Sequence, residues 1–351
     1  MSRKWRFSRK FWIIGSAIFL LLAALFAYKL TCSRVKVTGS TGVIYIPKGT
    51  DYSGLQSILQ KKHLIRWMFL FNLDAGLTGL KEQVKEGRYE FPAGTTYLQL
   101  ARLLRSGLQS PVKLNIRKCR TKTEFARYIA SRMEIDSAAL LQTLNDEQPA
   151  ARSAFAGLNT EQSLCLFIPN TYELYWNCGL SNFLLRMLQE YHAYWNSSRQ
   201  AQARTLGLST TEVYILASIV DEETAMEADK TPIAGVYINR LRKGMKLDAD
   251  PTVKFAMGNF SLRRLYNKHL EYESPYNTYL HKGLPPGPIC IPSLSSLEAV
   301  LRYADTTQQH DYLYFCASVD KPGYSVFAST LEEHRKNAKN YNDYLNDKNI
   351  H

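Results

Sequence analysis

Apolar residues recur along this chain with a helical period in most places, but one stretch has no polar interruption at all. From Phe11 to Tyr28, FWIIGSAIFLLLAALFAY, eighteen residues carry no formal charge, and Trp12 and Tyr28 stand near its ends. That length can just span the hydrocarbon of a bilayer. A cleaved signal peptide has an apolar run of roughly 7–15 residues followed by a small-x-small site, whereas here Lys29 and Leu30 come directly after Tyr28. The pattern predicts an uncleaved anchor at 11–28. Arg3, Lys4, Arg6, Arg9 and Lys10 form a basic tail at 1–10. This heavier flank puts the N-terminus in the cytoplasm and exports everything beyond about residue 30.

The next segments repeat. IPKGTDYSGLQSIL (Ile46 to Leu59) and FPAGTTYLQLARLL (Phe91 to Leu104) share P-x-G-T-x-Y after an apolar residue. Leu55 matches Leu100, Ile58 matches Leu103 and Leu59 matches Leu104. Each copy reads as a short strand, a Pro-Gly turn and a capped helix with its apolar face at i, i+3, i+4. NIRKCRTKTEFARYIA (Asn115 to Ala130) resembles a degraded third copy, with Phe125 and Ile129 in the places of Leu55 and Leu59. Modules of this shape often bind glycans or peptides, although packing alone accounts for the pattern equally well.

Residues 136–207 are mostly helical in pattern. LFIPNTYELYWNCG (Leu166 to Gly179) interrupts them as a loop or strand whose Tyr172, Tyr175 and Trp176 suit either a sugar platform or an aromatic core corner. In TEVYILASIVDEETAM (Thr211 to Met226), Leu216, Ile219, Val220 and Glu223 follow i, i+3, i+4, i+7. At about 100° per residue Glu223 falls within roughly 20° of Leu216, centred on the apolar stripe. Asp221 and Glu222 fall away from it and read as solvated positions. A carboxyl aimed into apolar surroundings has its pKa raised, which is what a general acid for glycosidic cleavage requires. An ion pair with an Arg or Lys is the competing account of Glu223.

A second helix is expected over Asp229 to Gly244, with Thr231 as its cap and Pro232 at its first position. Asp250-Pro251 opens another, or Asp250 simply caps it. Ser274 to Val300 begins as a Pro-, Gly- and Tyr-rich stretch of the kind that lines clefts. DYLYFCASVDKPGYSVFAS (Asp311 to Ser329) predicts a β-hairpin turning at Lys321-Pro322-Gly323, followed by a polar helix carrying His334, a surface or capping histidine.

Composition narrows the partners. With 45% hydrophobic residues the chain can build cores, and its 44 Lys+Arg against 31 Asp+Glu, net +13, favour an anionic polymer or membrane surface. Six irregularly spaced cysteines form no CxxC and read as buried free thiols as readily as disulfides. No metal-ligand spacing and no phosphate-binding glycine loop is present, so no cofactor is implied. No nucleic-acid motif supports that class of partner.

Four later segments, in order, carry a resemblance: LASIVDEETAMEADKTPIAGVYINRLRKGMKLDADPTVKFAMG, SPYNTYLHKGLPPGPICIPS, YLYFCA and FASTLEEHRKN. With IPNTYELYW before them, they resemble the successive motifs of the endolytic murein transglycosylases, the YceG-like family. The paired P-x-G-T units resemble its LysM-like region. The resemblance implies a bacterial, single-pass protein of the inner (cytoplasmic) membrane with its catalytic part outside. The expected fold is α+β: an N-terminal transmembrane helix, a LysM-like repeat module at 38–135, and a mainly helical, lysozyme-related catalytic domain with a β-hairpin at 136–351.

The family's essential acid is the second Glu of E-K-E-T, which matches Glu223; Asp221 and Glu222 stand where the family has Glu and Lys. The resemblance places Asn239, Asp250, Thr252, Tyr276, Asn277 and Tyr279 along a glycan cleft. It implies cleavage of the β-1,4 bond between N-acetylmuramic acid and N-acetylglucosamine inside peptidoglycan strands, leaving 1,6-anhydro ends. It also implies a role in ending strand elongation and peptidoglycan synthases as partners. The rival readings are a membrane-anchored glycan-binding scaffold without catalysis and a muramidase that leaves reducing ends.

Overall fold

A computed structural model of the protein describes residues 9–148, 153, 155–262 and 264–347. The expected basic tail lies mostly outside them. Helix and sheet are mixed, as expected, and the chain divides into two compact units: residues 1–112 with 173–178, and residues 113–172 with 179–351.

The chain opens with α1 (Arg9–Cys32), whose window Trp12–Lys29 is long and apolar enough to cross a membrane. None of that window is buried in the protein, unlike the core helix of a soluble domain. In the first unit β1 (Thr41–Ile46) leads into α2 (Tyr52–Lys61), α3 (Met68–Thr78) follows, and β2 (Gly87–Pro92) leads into α4 (Tyr97–Ser106). The strands pair antiparallel from Thr41 opposite Pro92 to Ile46 opposite Gly87.

The two repeats fold alike in detail. Gly49 and Gly94 take φ of 75° and 88°, the left-handed region that only glycine enters freely, so the turn requires it. The Thr50 and Thr95 hydroxyls donate back to the carbonyls of Pro47 and Pro92 at 2.6 and 2.7 Å. Asp51 caps α2 by accepting from Gly54 N, and Thr96 caps α4 by accepting from Gln99 N. Leu55, Leu59, Leu100 and Leu104 are all fully buried in the shared core with Ile44, Ile46 and Phe91.

The degraded third copy follows β3 (Val112–Asn115) and belongs to the second unit. Thr121 caps its helix α5 (Lys122–Arg132), which buries Phe125 and Ile129, and Phe125 packs against Phe167 with ring centroids 4.3 Å apart. Next come α6 (Ser137–Leu144), β4 (Thr171–Leu174), α7 (Gly179–Tyr194) and α8 (Ser197–Leu206). Of the aromatics around β4, Tyr172 is core and donates to Ile168 O at 2.8 Å. Trp176 packs edge-on against Tyr45, and Tyr175 is exposed.

The centre of the second unit is α9 (Thr210–Glu223), opened by a capping box between Ser209 and Glu212. Packed with it are α10 (Glu227–Arg242) and α13 (Leu294–Arg302). Helices α11 (Asp250–Ala256) and α12 (Asn267–Leu270) lie between these in sequence. The hairpin β5 (Tyr314–Ala317) and β6 (Ser325–Ala328) forms in register, Phe315 opposite Phe327, and α14 (Leu331–Asp347) packs on it.

Helix α10 corrects the sequence expectation. It begins at Glu227, with Pro232 inside it and Thr231 no cap, its hydroxyl having no partner among the described residues. Tertiary ties hold the added turn despite the N–H that proline lacks. Asp229 accepts from Ser325 N at 2.6 Å, and Lys230 donates to Ser293 and Ser295 at 3.2 and 2.7 Å. Cys119, Cys165, Cys290 and Cys316 are free thiols, the first three of them buried.

Candidate active site

Eight successive residues of α9, Val213 to Val220, are buried, so the helix has no solvated face over two turns. Its last three residues are the acids, and Thr224 ends the helix by turning extended at φ −143°, ψ 141°. Each carboxyl meets a different environment.

Asp221, expected to be solvated, is not: its side chain is 5% exposed. One of its oxygens accepts from the Ser293 backbone N–H at 3.0 Å and from the Ser293 and Ser296 hydroxyls, and the other pairs with Lys118. Burial alone would raise this carboxyl, but hydrogen bonds from Lys118, Ser293 and Ser296 and the Lys118 charge outweigh it and hold it below its ordinary value. Since Ser293 also caps α13, Asp221 ties the end of α9 to the start of α13. Glu222 is likewise enclosed. It takes a two-pronged bond from Arg120, at 3.0 and 2.9 Å, and lies 3.4 Å from Lys118.

Glu223 has no cation within ion-pair distance among the described residues. Its Oε1 accepts a 2.6 Å hydrogen bond from Tyr237 Oη, which α10 carries into the core. The residue keeps partial solvent exposure, yet enough protein surrounds the carboxyl for desolvation to push it up to about 7. The Tyr237 bond and the charges of Lys254 and Arg240 act downward, and Asp250 acts upward. The position at a helix C-terminus, the negative end of its dipole, also disfavours the charged form.

Glu223 and Tyr237 line a cavity of about 420 Å³ together with Asp248, Asp250, Tyr279 and His334. Tyr279 donates to Asp250 at 2.7 Å across its rim. Arg240 braces one wall, donating to the carbonyls of Leu313 and Leu247 at 2.7 and 2.8 Å and to Asp248 at 3.1 Å. Asp248 sits at φ 48°, a left-handed conformation held by this bracing. His334 stacks on Tyr314 at 5.2 Å, and its buried Nδ1 has no partner among the described residues. A histidine expected at the surface or at a cap therefore stands in the cavity wall.

The other residues expected along a cleft separate by environment. Asp250 and Tyr279 reach the cavity of Glu223. Asn239 is buried, donating to the carbonyls of His310 and Tyr312 at 2.8 and 3.1 Å. Thr252 is fully buried, 2.9 Å from the hydroxyl of Thr278, and donates to Ala249 O at 2.7 Å. Asn277 is fully buried and donates to Leu270 O and Tyr272 O, which fixes the loop before Tyr279. Tyr276 lies in a separate hollow, donating to Glu161 at 2.6 Å and packing on Phe255.

Tyr237, Arg240 and Asp248 were not singled out by sequence reasoning. The available signal for Tyr237 was its place near the middle of a helix that follows Glu223 after a short turn. Among the described residues no group of three or more His, Cys, Asp or Glu is arranged to hold a metal ion.

Residues 44–340 match the family model described as the YceG-like family. The chain is 30% identical over 344 residues to a protein of Bacillus subtilis (strain 168) named endolytic murein transglycosylase, covering 94% of this chain and 93% of that one. It is 25% identical over 372 residues to a protein of the same name from Streptococcus pneumoniae serotype 2, covering 96% of this chain and 66% of the longer relative. In structure it is similar to a yceG-like protein from Listeria monocytogenes known from a 2.6 Å crystal structure, with a TM-score of 0.53 and 28% identity over 85% of this chain and 99% of that one.

Proposed function

The chain belongs to the YceG-like family, and from that premise we propose that it is an endolytic murein transglycosylase that cuts inside peptidoglycan strands with Glu223 as its acid and base. The single observation that supports this role is a carboxyl with no cation at ion-pair distance among the described residues, raised to about 7, in the wall of an open cavity. Such a group holds its proton near neutral pH and releases it readily. Asp221 and Glu222 are engaged in ion pairs with Lys118 and Arg120 instead of standing open to the cavity.

In the reaction, Glu223 gives its proton to the oxygen that links N-acetylmuramic acid C1 to N-acetylglucosamine, and the C1–O4 bond breaks. The carboxylate then takes the proton of the muramyl C6 hydroxyl, whose oxygen closes on C1. A 1,6-anhydro end forms, no water is consumed and Glu223 regains its proton. Tyr237 orients the carboxyl through Oε1, while the other oxygen faces the bond to be cut. Asp250 and Tyr279 form a polar edge suited to sugar hydroxyls. In this reading α1 is an uncleaved single-pass anchor with its N-terminus in the cytoplasm, and the two P-x-G-T units form a LysM-like module that steadies the strand. Cutting within strands beside the membrane suits the ending of strand elongation.

A muramidase is the second reading, favoured by one observation: Asp248 and Asp250 line the same cavity as Glu223, and hydrolysis with two carboxyls is the commoner glycosidase design. Digestion of purified peptidoglycan with mass identification of the new sugar ends separates the two. Anhydromuramic ends that disappear in Glu223→Gln support the lyase, with a loss of about 10²–10⁴ in rate or more. Reducing muramyl ends alone would sink it.

A further inference from the structure

Helix α3 buries one side and presents an equally apolar other side. Its sequence, MFLFNLDAGLT, holds one charged residue, Asp74, and that residue is buried. Leu70, Phe71 and Ala75 enter the core. On the outside Phe69 and Leu77 are 65% and 75% exposed, with Trp67 just ahead of the helix at 52%. Residues 69, 73 and 77 follow one another at four-residue spacing and so form one face, where a surface helix normally carries polar side chains. An apolar face of this kind marks a contact surface.

What adjoins the face identifies its occupant. The Phe69 ring lies 6.5 Å from the ring of Phe26 in α1. Phe26 stands six residues before Cys32, roughly 9 Å along the helix axis and inside the apolar run. No free linker follows α1. Tyr97 N donates to Ser33 O at 3.0 Å, Val35 N to Thr95 O at 2.9 Å and Lys36 N to Leu64 O at 2.8 Å, so the first unit is fastened directly to the end of the helix. Lys29, Arg34, Lys36 and Arg66 are exposed around this exit, and the Arg66 guanidinium lies 5.2 Å over the Trp67 ring. Aromatic rings and basic side chains together match the headgroup level of a bilayer that carries anionic lipid. A soluble protein partner seated on Phe69 would have to enter the lipid beside Phe26.

We propose that the outer face of α3 at Phe69 and Leu77, with Trp67 just ahead of the helix and the basic collar of Lys29, Arg34, Lys36 and Arg66, docks the first unit onto an anionic phospholipid surface where α1 leaves the bilayer. This rests on α1 spanning a membrane. It goes beyond a tether, because the unit lies on the lipid in one orientation.

The test uses full-length protein reconstituted into phosphatidylglycerol vesicles, with and without bromine on the acyl chains just below the headgroups. The Trp67 contribution to fluorescence is wild type minus Trp67→Phe, and the Trp12 contribution is wild type minus Trp12→Phe. Docking requires bromine to quench both to a similar extent, and the double variant Phe69→Ser with Leu77→Ser to lose the Trp67 quenching while keeping that of Trp12. Quenching of Trp12 without Trp67 overturns the docking and leaves the anchor standing. Quenching of neither overturns both. A Trp67 signal that is blue-shifted but indifferent to bromine, with crosslinks between copies, assigns the face to a second copy and overturns the lipid assignment. The anionic part requires Trp67 quenching to fall several-fold in phosphatidylcholine vesicles, and equal quenching there would refute it.

Discussion

Tyr237 donates a 2.6 Å hydrogen bond to Oε1 of Glu223 from fourteen residues further along the chain, on the next helix. It is the hydrogen bond that α10 contributes to an acid which has no cation at ion-pair distance among the described residues. The bond acts on the charged form and lowers the carboxyl against the larger upward push of desolvation.

Tyr237→Phe removes that donor and keeps the ring against Phe315. The Glu223 carboxyl then rises further, so the pH profile of cleavage moves to higher pH and the rate at its optimum falls through lost orientation. A profile measured on purified peptidoglycan checks this; an unchanged profile would show that the bond does not tune the acid.

Glu223→Gln has a second consequence, in stability. The fold raises this carboxyl from 4.5 to about 7, so the folded chain binds the proton more tightly than the unfolded chain does. The stability this provides is complete below about pH 4.5 and is lost as pH rises through about 7. At about pH 8 the wild type is therefore the weaker protein, by about 2 kcal/mol once partial solvent access is allowed for. Denaturant midpoints for Glu223→Gln and wild type are expected to differ at about pH 8 and converge near pH 5. Equal midpoints at both would contradict a raised carboxyl.

Asp221→Asn behaves in the opposite way. It replaces the charge that faces Lys118 and accepts from Ser293 and Ser296, so folding stability drops by about 2 kcal/mol, less than for a fully enclosed pair because Lys118 is 39% exposed. The folded-state pKa of Asp221 lies below its ordinary value, so its contribution is present above the usual carboxylate range and vanishes as pH falls below it. Urea melts of the variant at neutral and acid pH measure this, and an unaltered neutral midpoint would refute it.

Leu55→Ala and Leu100→Ala test the equivalence of the repeats. Both leucines are fully buried one turn into helices that follow matching turns, so each truncation is expected to lower stability by about 2–5 kcal/mol and the two losses to agree within about 1 kcal/mol. One harmless and one severe substitution would show the environments to be unlike.

The strand-turn-helix units, the hairpin at Lys321-Pro322-Gly323 and the apolar run of α1 were legible in the sequence because each is a local property. A P-x-G-T turn needs a glycine in the left-handed region, a hairpin needs a Pro-Gly reversal, and a span needs only length and the absence of charge. Glu223 was also reachable from its spacing with Leu216, although the reason was incomplete. A stripe cannot choose among three acids on a helix that is buried all round.

Sequence by itself determined the local elements, the repeat and the cluster of three carboxyls at one helix end. Tertiary structure alone decided what each carboxyl is. Lys118 and Arg120 arrive from about a hundred residues before the cluster, and Ser293 and Ser296 from about seventy after it, to engage Asp221 and Glu222. Among the described residues only Tyr237, uncharged, reaches Glu223 at hydrogen-bond distance. The protonation state of a carboxyl follows from the charges and the water around it, and the fold brings those together without regard to sequence distance.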